Sequence, residues 1–228
     1  RRRGGATSVN LPVTSLVRPS RVRPLSPEGV TAIATQADGQ PKTLFTQQFG
    51  SVGEDRVGGI AVKGDQIVVA GVESGSAVVR SFSVTPTTVT TDKVTSGGVL
   101  TTTITTRTGG VVTDTQSTNF TTGGADNSTS TVFTTGAALA AGAVRNLGTL
   151  AGGDISGVAF NGADVIVAGT TGSGALDGGT VTSAYTSGKD AFVAKMTSAL
   201  TADAADRITY FGGDGDDSAT AVTVAGGK

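Results

Sequence analysis

Short apolar runs closed by glycine recur along this chain, and their spacing sets the fold. Ile60-Ala61-Val62 and Ile67-Val68-Val69-Ala70 flank the polar tetrad Lys63-Gly64-Asp65-Gln66. Val158-Ala159-Phe160 and Val165-Ile166-Val167-Ala168 flank a second such tetrad, 98 residues later and with no gap. The runs are too short for helices and rich in β-branched residues, so each pair predicts a β-hairpin. Strands are expected at 60–62, 67–70, 158–160 and 165–168. Turns are expected at Gly64-Asp65 and at 161–162, where Asn161-Gly162 is a strong short hairpin signal. A third copy opens at Val222-Thr223-Val224. Repetition of a strand–turn–strand unit predicts an array in which each unit buries its apolar face against the next.

Five divisions follow. Residues 1–43 hold five of the six prolines (Pro12, Pro19, Pro24, Pro27, Pro41) and read as an extended arm. Its apolar positions Leu11, Val13, Leu16 and Val17 suit burial along a partner. Residues 44–84 are the first β repeat, with Phe45–Phe49 as a strand. Residues 85–146 interrupt the period, with Thr at 21 of positions 85–135 and Gly pairs at 97–98, 109–110 and 123–124. Threonine favours strands and paired glycines permit reversals, which predicts a solvent-facing hairpin or meander. A disordered Thr-rich stalk carrying O-glycans is the competing reading. Residues 137–146 have the composition of a helical turn. Residues 147–209 form the second repeat and 210–228 a truncated third. Without the insert the period is roughly 50 to 60 residues, within the range of propeller blades.

Composition narrows the chemistry. The chain has no Cys and no His, which removes disulfides, thiol nucleophiles, the commonest general base and the commonest transition-metal ligand. An enzyme is not expected. Aromatic residues are 4% of the chain, with no Trp, so the core must be built from Val, Ile, Ala and Leu. No apolar run reaches the length of a membrane span. Six of seventeen basic residues precede the first acid, Glu28. Without aromatics to stack on bases, that basic arm reads as a leader or as a contact to an acidic neighbour rather than as a nucleic-acid arm. Arg1-Arg2-Arg3 is followed by no apolar h-region, which suggests a processed or trimmed form. The third copy breaks off at Gly226-Gly227-Lys228, so the chain is expected to continue past Lys228 with an Ile/Val-rich strand ending in Ala-Gly.

With the copies aligned, three sub-motifs stand in one order. They are Val165-Ile166-Val167-Ala168-Gly169-Thr170-Thr171, then Lys189-Asp190-Ala191-Phe192-Val193-Ala194-Lys195, then Tyr210-Phe211-Gly212-Gly213-Asp214-Gly215-Asp216-Asp217. In this the chain resembles the bacterial SBBP-type β-propeller repeat, well over 147–228 and more weakly over 44–84. The resemblance implies an all-β fold of repeated antiparallel four-stranded blades on secreted or surface-exposed bacterial proteins, with no catalytic residues. The ring is incomplete in this chain, and the Thr-rich insert is foreign to the unit.

One constellation holds candidate ligands. Gly212 to Thr220 fits the G-G-x-G-x-D-x-U-x calcium nonapeptide, with Asp214, Asp216 and Asp217 as oxygen donors. That motif works in tandem and occurs here once, and Gly50-Ser51-Val52-Gly53-Glu54-Asp55 occupies the equivalent place with fewer acids. A structural turn is therefore the stronger reading. Phe49, Phe160, Phe192, Phe211, Tyr185 and Tyr210 are core candidates before they are ligand candidates. Asn119 and Asn127 stand in glycosylation-type triplets that arise readily in such a composition. The expected function is that of a non-enzymatic structural subunit or module of a bacterial surface assembly or appendage, partnered by its own copies or other surface subunits. The alternative is a β-propeller module that binds a glycan or protein, with calcium as a possible aid.

Overall fold

A computed structural model of the chain describes residues 28–35, 41–51 and 53–225. Leu11, Val13, Leu16, Val17 and the rest of the arm before Glu28 lie outside the described residues. Thirteen strands and no helix occur among those described. They are β1 (Glu28–Thr35), β2 (Pro41–Phe49), β3 (Asp55–Lys63), β4 (Gln66–Glu73), β5 (Ser76–Ser96), β6 (Val99–Thr108) and β7 (Val111–Thr121), followed by β8 (Asn127–Thr149), β9 (Asp154–Asn161), β10 (Asp164–Thr171), β11 (Thr180–Ser183), β12 (Asp190–Thr197) and β13 (Arg207–Phe211). All pairings are antiparallel except β11 with β13.

Two four-stranded meanders organise the chain. In the first, β3, β4, β5 and β8 are neighbours in that order; in the second, β9, β10, β12 and β13 are, with β11 added beside β13. The β3–β4 and β9–β10 hairpins are equivalent residue by residue. Both turn on a glycine with positive φ, Gly64 at 59° and Gly162 at 58°, while the following residue has negative φ. That is the type II′ geometry, whose twist matches the strands it joins. The second turn is therefore Gly162-Ala163 rather than 161–162, because Asn161 is spent on the last ladder pair, with Asp164. Both hairpins also carry the same bulge. Val57 and Gly59 pair with Gly71 and Ala70, leaving Gly58 extra; Ile155 and Gly157 pair with Gly169 and Ala168, leaving Ser156 extra.

The extra residue is where one unit meets the next. A Cβ on Gly58 would lie 2.3 Å from the carbonyl oxygen of Ile155, and one on Gly59 2.8 Å from the amide nitrogen of Val158. One unit further on, the Ser156 hydroxyl donates to the Ala219 carbonyl, and a Cβ on Gly157 would lie 3.3 Å from the amide nitrogen of Val222. In the repeat alignment Ser156 corresponds to Gly58, Ala219 to Ile155 and Val222 to Val158. The first-to-second contact thus recurs from second to third. Residues 219–225 form no ladder of their own, yet they lie along β9 as β9 lies along β3.

Between the two sheets sits the main core. Val68, Ala70 and Val72 of β4 belong to one cluster with Val165 and Val167 of β10 and Phe192, Ala194 and Met196 of β12. Alternate residues of β4, Ile67 and Val69, join Phe82 and Val84 in a second cluster on the opposite face. Burial on both faces is why β4 reads as an unbroken apolar run. β1 runs beside β3 and β2 beside β8. Residues 28–35 and 41–49 are therefore paired antiparallel, with Pro41 at the first position of β2. Proline is tolerated there because the strand needs no donor at its start.

Between the units β5 and β8 run on far past the core. They pair over residues 76–95 and 127–149, and β5 alone, at 21 residues, spans about 70 Å. The first half of β5 is flanked by β4 and the second half by β6. Pro86 sits at the changeover, between the Val84 N–H that donates to Asp65 and the Pro86 carbonyl that accepts from Gly109. On that side no strand awaits a donor from residue 86, so a proline inside a central strand costs no ladder bond. The boundaries expected at 84/85 and 146/147 thus fall within β5 and β8, and that at 209/210 within β13. Residues 137–146 are strand, not a helical turn, because pairing with β5 outweighs the helix propensity of an alanine run already broken by Gly142. Beyond Pro86, β7, β6, β5 and β8 form a projecting sheet turned by Gly97-Gly98 and Gly109-Gly110, all four with positive φ. The expectation of strands over the Thr-rich segment is met.

A buried charge joins the sheets at their far side. Arg145 of β8, with its side chain 8% exposed, lies 3.6 Å from the carboxylate of Asp206, which is 2% exposed, and reaches the Asp177 carbonyl at 3.1 Å. Among the described residues no helix is long and apolar enough to cross a membrane.

Two outcomes follow from this packing. Gly58→Ala should lower unfolding free energy by about 1–3 kcal/mol in urea titrations, since its new methyl meets backbone that cannot yield. Gly213→Ala, with open space at that position, should match the parent. Arg145→Leu should cost about 3 kcal/mol, because it strands a buried carboxylate, and adding Asp206→Asn should recover part of the loss.

Candidate interaction surfaces

The acidic turn after β13 is a clasp. The Asp217 carboxylate accepts the Gly213 N–H at 2.8 Å, and the Asp217 N–H donates to the Lys189 carbonyl at 2.5 Å. The Asp216 carboxylate accepts the Lys189 N–H at 3.0 Å, and Asp214 is exposed. Together these bonds fasten residues 212–217 onto the loop before β12. The same device appears before β3, where the Asp55 carboxylate accepts the Ser51 N–H and hydroxyl, both at 2.7 Å. Asp55 and Asp217 hold corresponding positions, which is the structural-turn reading of this motif. Among the described residues no group of three or more Asp, Glu, His or Cys side chains is placed to hold a metal ion.

Beside the clasp, Asp190 is fully buried, and one of its oxygens accepts the Thr186 N–H at 2.8 Å and hydroxyl at 2.9 Å. Tyr210 is buried, as expected, and meets the Tyr185 ring edge-on at 6.0 Å between centroids. Burial raises the Tyr210 phenol above its ordinary value, and the Leu176 N–H donated to its oxygen offsets part of that rise. Phe192 is fully buried and Phe160 packs partly against the core. Phe211, expected in the core, is 54% exposed, because it follows Tyr210 and the strand alternation turns it outward. The side chain of Phe49 lies outside the description.

Charged pairs sit at the boundary between the units and within the first of them, and no pattern in the sequence marked them as pairs. Arg56 and Asp154, which hold corresponding positions in successive units, approach to 3.4 Å. Burial lowers the Arg56 guanidinium, but Asp154 and Glu54 more than compensate, leaving it raised. Arg80 forks onto Glu73 through two bonds of 2.6 Å, and this hydrogen bonding raises it against the effect of burial. Arg145 had a signal in the sequence, as the one charged residue between Asp126 and Asp154.

The projecting sheet offers the broadest free surface. Every residue of β7 is exposed, and Val111 at 69% and Phe120 at 71% are the most exposed large apolar side chains among the described residues. Asn119 lies in β7 and Asn127 opens β8, both exposed. Hydroxyls line the sheet, with Thr103 and Ser117 bonded at 3.1 Å across β6 and β7. Such a surface can pair or pack, but it assembles no acid–base or nucleophilic constellation.

No family model matches the chain. Over 200 residues, 87% of its length, it is 36% identical to a protein of Caulobacter vibrioides named Regulatory protein FlaEY. The chain spans 18% of that relative's length.

Proposed function

We propose that this chain is a non-enzymatic structural module of a bacterial surface assembly or appendage, located outside the cell and partnered by copies of itself or other surface subunits. One observation carries the reading: the contact of Gly58-Gly59 with residues 155–158 is repeated by Ser156-Gly157 with residues 219–222. Units related by one recurring heterologous contact build by successive addition, into an open series where the rotation between units does not close a ring. In this reading each four-stranded meander is a blade of the SBBP type, and the array is open. The projecting sheet then presents Thr-rich strands away from the stacked units.

The exposed acidic turn Asp214-Gly215-Asp216-Asp217 favours a second reading, in which the array is a binding module for a glycan or protein. The two part in solution. Under the structural reading, the weight-average mass by light scattering should rise as the chain is concentrated, and equally in calcium and in chelator. A mass that stays monomeric at all concentrations would overturn it. Calcium-dependent capture of a glycan or protein by that monomer would establish the second.

A further inference from the structure

The β1–β2 hairpin matches the last two strands of a unit. Glu28-Gly29-Val30-Thr31-Ala32-Ile33-Ala34-Thr35 aligns with Asp190-Ala191-Phe192-Val193-Ala194-Lys195-Met196-Thr197, 162 positions on. At the same offset Phe49-Gly50-Ser51-Val52-Gly53-Glu54-Asp55 aligns with Phe211-Gly212-Gly213-Asp214-Gly215-Asp216-Asp217. The alignment extends to bonding, since Asp55 closes on Ser51 as Asp217 closes on Gly213. It extends to pairing, since β1 runs antiparallel to β2 as β12 does to β13. The hairpin also lies against the first sheet, beside β3 and β8.

One difference remains. β12 is paired on both sides, by β13 and by β10, whereas β1 is paired among the described residues by β2 alone. An eight-residue strand with one side unpaired among the described residues is a template for a further strand. We infer that the open edge of β1 is a strand-accepting site whose occupant is an extended, Val/Ile-rich segment of another chain that reads like Asp164–Thr171. The register follows from β10 on β12, in which Ala168 stands opposite Val193 and Ile166 opposite Lys195. Carried over by the alignment, the incoming strand sets its Ala168 position opposite Thr31 and its Ile166 position opposite Ile33. β1 carries a single charge, at Glu28, which faces the Thr171 position, while the one charge of an Asp164-like strand faces Thr35, so no like charges are paired. Main-chain bonds would supply affinity and the alternating side chains register, as in strand addition to a sheet edge.

This inference rests on the assembly reading, since it supplies one contact by which chains would join, but it is tested separately. The full chain lacks cysteine, so Thr31→Cys introduces a single thiol. The probe is a synthetic peptide of residues 163–172 bearing cysteine at the Ala168 position, with a second peptide bearing it at the Val165 position. Opposed residues of an antiparallel pair stand about 4.5–5.5 Å apart, within disulfide range, whereas a three-residue offset lies outside it. The expected result is a mixed disulfide with the first peptide under mild oxidation, its loss with the second, and its loss when the Ile166 position of the first is proline. Equal trapping of both cysteine positions would overturn the inference, as would no trapping, including the case in which residues of the same chain already fill the edge. An assembling chain that fails to trap the peptide defeats this site and leaves the proposed function standing. A monomeric chain that traps it in register does the reverse.

Discussion

The fold depends on how closely one unit allows the next to approach. At Gly58-Gly59 the bare backbone of one unit meets residues 155–158 of the next, their backbone and the Ile155 side chain, with no side chain of its own in the way. That proximity brings β3 and β4 against β9, so that modest side chains such as Val68, Ala70 and Val167 suffice to fill the space between the sheets. A chain with almost no aromatics cannot bridge a wide gap between sheets; its core must be thin. The bulge supplies the geometry. By inserting one residue into β3, and one into β9 at the corresponding place, it bends the strand and turns the extra residue toward the neighbouring unit. Serine serves in place of glycine at 156 because its hydroxyl finds the Ala219 carbonyl.

The Thr-rich sheet obeys a different rule. It has little core of its own, and its order derives from β5 and β8, each of which begins or ends inside the packed region and carries the ladder outward. Strands rooted this way keep their register without burying a face, since slippage would have to move the anchored half as well. The insert is therefore an extension of two strands of the first unit. The proposed function draws on both halves together: units that repeat one contact, bearing an exposed projection.

Much of this was legible in the residues. The 98-residue repetition located both hairpins, and the unbroken apolar runs Ile67–Ala70 and Val165–Ala168 located their most buried strands. The turn at Gly162-Ala163 was misplaced by one residue because Asn161-Gly162 is a strong local signal, and the ladder, not the dipeptide, decides where a strand ends. The alanine run at 137–146 pointed toward helix because propensity is local, whereas its partner strand lies some 60 positions away. Phe211 looked like core because aromatics are scarce here, yet the alternation set by Tyr210 faces it outward. The contacts between units left no pattern to read, since a glycine that permits close approach looks like a glycine in a turn. Arg145 did leave one, a lone charge in an apolar stretch, and its partners Asp177 and Asp206 could not be picked out from among many acids.

The central claim is that the same unit-to-unit contact occurs twice in succession. Proton–proton Overhauser contacts in the isotope-labelled chain test it most directly. The account predicts cross-peaks from the Gly59 α-protons to the Val158 amide and, one unit on, from the Gly157 α-protons to the Val222 amide. If the first pair appeared without the second, or neither appeared in a chain whose β3–β4 and β9–β10 ladders were intact, the units would not stack as a repeating series and the account would be wrong.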